Sequence, residues 1–131
     1  MAGSLKELSE FRLARSSEDL QSARFSYENG NYRLALNRAY YSIFHAIRAV
    51  NAFDEFESTK HSGVIAHFNQ YHVKSGEFDR EISKAIRHLQ DMRETADYSD
   101  FFVPDEEEAL EAIQDASKIF EEIKRFLNAK G

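Results

Sequence analysis

The sequence predicts an all-α protein, an up-and-down bundle of four longer helices and one short helix. Its 131 residues include one proline and five glycines, so few residues interrupt a helix. Apolar residues recur at intervals of three and four over long segments, which is the period of an amphipathic helix. The apolar–polar alternation that would predict strands is missing. A chain of this length suits one domain, and we expect residues 1–131 to form it.

The first two helices are predicted to form an antiparallel hairpin. The first spans about residues 4–28 and starts with capping-box spacing between Ser4 and Glu7. The second spans about residues 32–50 and follows the three–four pattern almost throughout. Only a few residues around Gly30 separate them, and a short connection favours an antiparallel pair.

The second half of the chain predicts three further helices, of which the first is short. Linkers and helices alternate in this order: a linker at 54–59, a helix over about 60–73, a break at 74–78, a helix over about 79–97 and an aromatic-rich loop at 98–104. The last helix begins at Asp105, which has capping-box spacing to Glu108. The run of glutamates after Asp105 suits the positive end of a helix dipole.

Composition excludes several classes of protein. Asp and Glu outnumber Lys and Arg by 23 to 17, a net charge of −6, so an RNA or anion site would have to be a local patch. The chain has no cysteine, which excludes disulfides, thiolate chemistry and zinc–sulfur sites. No apolar run resembles a signal peptide or approaches the ~20 residues of a membrane span. We expect a cytoplasmic protein without a membrane segment and without a cofactor.

Arg93 is the residue that fits its predicted helix least. At about 100° per residue, it falls in the middle of the apolar row that contains Ile82, Ile86 and Leu89. Burying an unpaired guanidinium costs several kcal/mol, so Arg93 needs a negative partner. Asp97, four residues on, could supply it within the subunit or at a subunit interface. The alternative is that Arg93 faces a cleft and binds a phosphate, which its planar, always charged fork matches.

Two further groups are candidate ligand-binding residues. A polar stripe on the second helix consists of Arg38, Tyr41, His45 and Arg48. Tyrosine stacks on bases and arginine pairs with phosphates, although a solvated helix edge or a subunit interface would show the same pattern. Lys60 and His61, at the start of the third helix, could contact an anion there.

A metal site is not predicted. His61, His67 and His72 are separated by six and five residues, not by the four of a helical metal pair. Helical geometry places His67 on the opposite side from His61 and His72, and no carboxylate lies at ligand spacing inside this helix. A packed, hydrogen-bonded His61 is the simpler interpretation.

Three blocks in this order resemble the HEPN superfamily, in particular its bacterial and archaeal branch. They are GNYRLALNRAYYSIFHAIRAV (30–50), KHSGVIAHFNQYHVKSGEFDREI (60–82) and MRETADYSDFF (92–102). The resemblance implies a bundle of four to five helices that forms homodimers. It also implies metal-independent RNA cleavage, and a toxin role beside a minimal nucleotidyltransferase antitoxin.

The family signature is an arginine followed four to six residues later by a histidine, and its arginine matches Arg93. Tyr98 stands five residues later, and no histidine follows Arg93 in the chain. Metal-free RNA cleavage needs a base, for which histidine is suited and tyrosine, with a pKa near ~10, is not. Asp97 could substitute, but pairing with Arg93 would lower its basicity. Related toxins carry a tyrosine that the partner transferase nucleotidylates, and Tyr98 is the candidate for that role.

Three functional hypotheses result. The first is a dimeric HEPN-like module that binds RNA or a nucleotide near Arg93, is paired with a minimal nucleotidyltransferase, and is not expected to be an ordinary nuclease. The second is an endoribonuclease in which Arg93, Asp97 and Tyr98 act, with His45 or His61 assisting. The third is a helical protein-interaction scaffold, because YENGNYRLALNRAYY (27–41) resembles one tetratricopeptide hairpin.

Overall fold

Five α-helices make up the fold. The computed structural model describes residues 3–130, and in that range the chain contains helices and no strand. The helices are α1 (Leu5–Glu28), α2 (Tyr32–Asn51), α3 (His61–Phe68), α4 (Arg80–Tyr98) and α5 (Glu106–Ala129). A 3₁₀ turn (Ala52–Asp54) follows α2, and a π-helical turn (Asn69–Val73) extends α3. The predicted all-α class, with four longer helices and one short helix, is confirmed.

Local capping sets where the helices begin. The Ser4 hydroxyl accepts a hydrogen bond from the Glu7 N–H at 3.1 Å, although the reciprocal half of the predicted capping box is not seen in the described residues. Before α5 both halves are present: the Asp105 carboxylate accepts from the Glu108 N–H and the Glu108 carboxylate from the Asp105 N–H. Gly30 has φ +77°, a left-handed conformation that glycine adopts without strain, and it ends the first helix as predicted.

α1 and α2 form the predicted antiparallel hairpin, and their contact is polar. Ser9 Oγ donates to the Ala49 carbonyl at 2.7 Å, and Ser16 Oγ donates to the Ser42 carbonyl at 2.6 Å. Residue numbers rise along α1 as they fall along α2, which is the antiparallel arrangement. Leu20 and Ala23 of α1 are buried in the core, and several other buried α1 positions are serines, whose small side chains let the two helices approach closely.

The other long helices continue the alternation of direction. Arg33, early in α2, donates to the carbonyl of Ala96, at the end of α4, so these two helices are antiparallel. Arg24, late in α1, donates to the Ser117 hydroxyl of α5 at 3.1 Å, and Tyr27 to Glu106 at 3.2 Å, so α5 runs against α1. The order α1, α2, α4, α5 is therefore up, down, up, down.

α2 lies at the centre of the bundle. Thirteen of its twenty residues are buried, and the core gathers around them. The largest fully buried apolar side chains include Leu36, Ile43, Ile47, Phe68, Ile86, Leu89, Ile119 and Ile123. Between residues 3 and 130 no helix is both long enough and apolar enough to cross a bilayer.

Candidate anion-binding site

Arg93 lies half-buried on α4, against two tyrosines of α2. Its Cζ is 4.8 Å from the centre of the Tyr40 ring and 5.6 Å from that of Tyr41, and its side chain is 17% exposed. Nε lies 3.1 Å from Asp97 Oδ2, and Nη2 donates to the Tyr41 hydroxyl at 3.4 Å. The internal Arg93–Asp97 pair is confirmed. A guanidinium has more N–H donors than these two contacts use, so part of its capacity stays available.

An arginine of α2 and an arginine of α4 both lie close to the Tyr41 ring. The Arg38 guanidinium lies 5.1 Å from the Tyr41 ring centre, and Arg93 lies 5.6 Å from the same centre. Arg38 also pairs with Asp19 of α1 at 3.3 Å and donates to Asn37. We call Tyr40, Tyr41, His61, Arg93 and Asp97 the Arg93 cluster, and Arg38 borders it.

His61 reaches the cluster from α3 through Tyr40. The Tyr40 side chain is fully buried, and burial raises its pKa to about 12 although Arg93 opposes the rise, so its hydroxyl keeps its proton at neutral pH. Burial, together with Arg93 and Arg48, lowers the pKa of His61, which is therefore neutral. The Tyr40 hydroxyl and His61 Nδ1 are joined by a hydrogen bond of 3.1 Å, and we assign the tautomer in which the hydroxyl donates and Nε2 carries the ring proton.

His45 lies behind this surface and not on it. Burial and the surrounding arginines, Arg15 first among them, lower its pKa to about 4, so the ring is neutral at pH 7. Its Nε2 is 3.7 Å from Asp19 Oδ2, too far for a hydrogen bond. Burial also raises the pKa of Asp19, although Arg38 and Arg15 oppose the rise. The sequence offered His45 as a ligand-binding residue, but the ring is only 7% exposed.

Two predicted site residues lie outside the cluster. Tyr98 is 81% exposed at the end of α4, and a residue five positions after Arg93 points about 140° away around a helix. Lys60 is exposed at the start of α3, where its backbone N–H donates to the Ser58 hydroxyl at 3.1 Å. Of the three proposed catalytic residues, the fold therefore brings together Arg93 and Asp97 but not Tyr98.

Comparison with known proteins identifies the family. A family profile described as HEPN domain matches residues 9–126, which include at least part of every helix. The chain belongs to the HEPN domain family. It is 29% identical over 122 residues to "UPF0332 protein" of Thermotoga maritima, across 93% of this chain and 92% of the relative.

Two relatives from Methanocaldococcus jannaschii are named as toxins. "Putative toxin MJ0605" is 36% identical over 110 residues, which cover 84% of this chain and 81% of the relative. "Putative toxin MJ0142" is 28% identical over 118 residues, which cover 90% of this chain and 80% of the relative. Both matches extend over most of the HEPN fold, so the resemblance is to whole chains and not to one motif.

Sequence reasoning missed Tyr40, a member of the Arg93 cluster, and Arg15, whose charge acts on His45 and Asp19. Tyr40 was assigned to the apolar row of α2, although a tyrosine hydroxyl in a core requires a hydrogen-bond partner, and that requirement was the available signal. Arg15 was not considered. It lies three residues after Arg12 and four before Asp19, so helical spacing alone places these three on one face of α1.

The predicted arrangement of His67 and His72 was wrong. The sequence placed them on opposite sides of a regular helix, yet both rings approach Asp54 Oδ2, His67 Nε2 at 2.9 Å and His72 Nε2 at 2.6 Å. The reason is the π-helical turn Asn69–Val73, which changes the angle between residues five apart. The carboxylate comes from the 3₁₀ turn before α3, outside the predicted third helix.

Proposed function

We propose that this HEPN protein binds RNA or a nucleotide through phosphate contacts at the Arg93 cluster, as the toxin-like member of a pair with a minimal nucleotidyltransferase. One observation carries the proposal: the guanidiniums of Arg38 and Arg93, from two helices, lie 5.1 and 5.6 Å from the centre of one Tyr41 ring. Each guanidinium is paired with one aspartate, Arg38 with Asp19 and Arg93 with Asp97, and has further N–H donors, and arginine forks match phosphate oxygens. An adjacent tyrosine face suits a base.

The protonation states favour binding over cleavage. RNA cleavage without a metal needs a base to take the 2′-hydroxyl proton. Asp97 is paired with Arg93, Tyr40 has a pKa of about 12, and the acceptor nitrogen of His61 is occupied by the Tyr40 hydroxyl. What the cluster offers a ligand is N–H donors, from Arg93 and from His61 Nε2.

RNA binding by the purified protein tests the proposal. Fluorescence anisotropy with a labelled single-stranded RNA should show binding that weakens about tenfold or more in Arg93→Ala and Arg38→Ala. Binding should also weaken as salt is raised, because counterions are released. Arg87→Ala is the matched control, since Arg87 is on the same helix and its side chain is 83% exposed. Equal affinity of wild type and Arg93→Ala, or an equal loss in Arg87→Ala, would refute the site.

A second candidate function is metal-independent RNA cleavage, and the position of His61 favours it. His61, on α3, is hydrogen-bonded to the Tyr40 hydroxyl, and the Arg93 guanidinium lies 4.8 Å from the centre of the same Tyr40 ring. A neutral imidazole therefore lies near the cationic group, although no histidine follows Arg93 in the sequence. If its Nδ1 were released from Tyr40 by a bound substrate, His61 could take a proton while Arg93 held the phosphate.

A cleavage assay in excess chelator separates the two candidates. Binding without product in wild type supports the binding module. The nuclease is supported if the wild type forms product and both His61→Gln and Arg93→Ala do not. His61→Gln should still bind RNA in that case. Circular dichroism of each variant checks that the helices are intact, and His88→Gln, an exposed histidine elsewhere, is the control.

The assembly is part of the proposal. The HEPN family and the names of the two Methanocaldococcus relatives support a toxin-like role. We expect a homodimer, which light scattering during size-exclusion chromatography would measure. We expect a minimal nucleotidyltransferase to be encoded next to this protein and to co-purify with it. A monomer at micromolar concentration would contradict the homodimer. The absence of a nucleotidyltransferase gene beside the gene for this protein would contradict the pairing.

A further inference from the structure

A second cluster of polar side chains lies beyond the Arg93 cluster, where the segment after α2 meets α3. Asp54 comes from the 3₁₀ turn, His67 from α3 and His72 from the π-helical turn. One carboxylate oxygen, Asp54 Oδ2, lies 2.9 Å from His67 Nε2 and 2.6 Å from His72 Nε2, and the ligand atoms of the three residues lie within 4.8 Å of one another. Three groups that can each bind a metal therefore converge on one point.

The π-helical turn is what aligns the two histidines. On a regular α-helix, residues five apart point about 140° away from each other. In this segment the hydrogen bond from the Lys74 N–H to the Asn69 carbonyl, at 2.9 Å, spans five residues, and the helix is locally wider. His67 and His72 are thereby brought to one side. Helical segments of this kind are frequent at functional sites.

Neighbouring side chains hold each imidazole in place. The His67 ring stacks on Phe56 with 4.0 Å between ring centres and an interplanar angle of 17°. His72 is 8% exposed, and its Nδ1 is 3.3 Å from Glu77 Oε1. Among the described residues His72 Nδ1 has no hydrogen-bond partner, and a small rotation of Glu77 would let its carboxylate accept from Nδ1, which would leave the Nε2 lone pair for a metal. Asp54 is the most exposed of the three, so the site is open to solvent on one side.

We propose that Asp54, His67 and His72 form a site for a divalent transition-metal ion, with Zn²⁺ the expected occupant. Two imidazole nitrogens and one carboxylate oxygen are a common zinc ligand set that leaves a fourth position for water. Bonds of about 2.0–2.1 Å in a tetrahedral site place ligand atoms about 3.3 Å apart. The two distances from Asp54 Oδ2, 2.9 Å to His67 Nε2 and 2.6 Å to His72 Nε2, need to widen by less than an ångström, which rotation of the exposed Asp54 side chain can supply.

The carboxylate of Asp54 suits this role. A carboxylate oxygen is a usual Zn²⁺ ligand, and Asp54 Oδ2 already lies within hydrogen-bond distance of both imidazoles. A bound ion would replace the shared hydrogen-bond protons and join the 3₁₀ turn to α3. The site is independent of the Arg93 cluster and does not rest on its proposed function.

Titration of the chelator-treated, tag-free protein with Zn²⁺ and Co²⁺ tests the site. Calorimetry should show one equivalent bound, and Co²⁺ should give the visible absorption of a four-coordinate complex. Glu77→Gln should weaken Zn²⁺ binding about 10–100-fold. Loss of a ligand should weaken it further, in each of the variants Asp54→Asn, His67→Gln and His72→Gln. Zn²⁺ should also raise the melting temperature of the wild type but not of His67→Gln.

His88→Gln is the matched control. His88 lies with Glu111 and Asp115 on another part of the surface, and these also place potential ligand atoms within 4.8 Å. The proposal would be overturned if the His67→Gln/His72→Gln double variant bound Zn²⁺ as tightly as the wild type. It would also be overturned if His88→Gln lost Zn²⁺ binding. If His72→Gln does not fold without metal, the test uses His67→Gln and Asp54→Asn, because the His67 and Asp54 side chains are more exposed than that of His72.

Discussion

Replacing Arg93 by methionine separates a structural role of this residue from a ligand-binding role. Methionine keeps an unbranched side chain against Tyr40 and Tyr41 but removes the charge. The lost stacking contributes about 0.5–1 kcal/mol for each ring, and the lost pair with Asp97 about 0.3–0.5 kcal/mol. Part of this is offset because a largely buried guanidinium no longer has to be desolvated. The Asp97 side chain is 32% exposed, so water can solvate its carboxylate.

The expected net change is therefore small. Arg93→Met should lower the free energy of unfolding by about 1 kcal/mol and the melting temperature by about 4 °C. RNA affinity should fall about tenfold or more. Urea denaturation followed by circular dichroism measures the first quantity, and anisotropy with labelled RNA measures the second. A loss of more than about 3 kcal/mol with RNA affinity unchanged would refute the reasoning, since it would show that the ion pair accounts for Arg93 by itself.

Three other side chains give predictions for the purified protein. Because the pKa of His45 is about 4 in the folded chain and ordinarily 6.5, the unfolded chain binds a proton first as pH falls through this interval. The free energy of unfolding, measured by urea denaturation, should therefore drop by up to about 3 kcal/mol between pH 6.5 and 4. The drop should be smaller in His45→Gln. Tyr98→Phe should prevent the mass increase caused by a partner nucleotidyltransferase, whereas Tyr71→Phe, also exposed, should not. Arg12→Ala should cost about 2–3 kcal/mol in urea denaturation, because buried Arg12 hydrogen-bonds the Arg48 carbonyl and pairs with Glu57; a loss below about 0.5 kcal/mol would contradict this.

Helix positions were predictable because they depend on neighbours in sequence. Ser4 and Asp105 cap helices through contacts three residues away, and the Arg93–Asp97 pair spans four residues. The bounds of α1 were predicted, but its polar contacts with α2 were not. Its burial depends on serines such as Ser16, whose hydroxyl meets a carbonyl 26 residues away, and no local pattern reports that contact.

The candidate site was predictable only in part. The spacing of Arg38, Tyr41 and His45 predicted one polar face of α2, and the structure places Arg38 and Tyr41 together, with 5.1 Å between the guanidinium and the ring centre. The pattern could not show that His45 is buried behind that face, because its burial is decided by α1. Nor could it show that Tyr40 donates to His61, since the two residues come from different helices.

What the sequence by itself determined is the local order: which segments are helical, where they begin, and that Arg93 and Asp97 have the four-residue spacing at which helical side chains meet. Those features depend on hydrogen bonds and spacings within about one helical turn. Only the tertiary structure decided that Arg93, 52 residues from Tyr41, shares that ring with Arg38. It also decided that Asp54 lies between His67 and His72. Both arrangements depend on how separate elements pack together, which a one-dimensional periodicity does not contain.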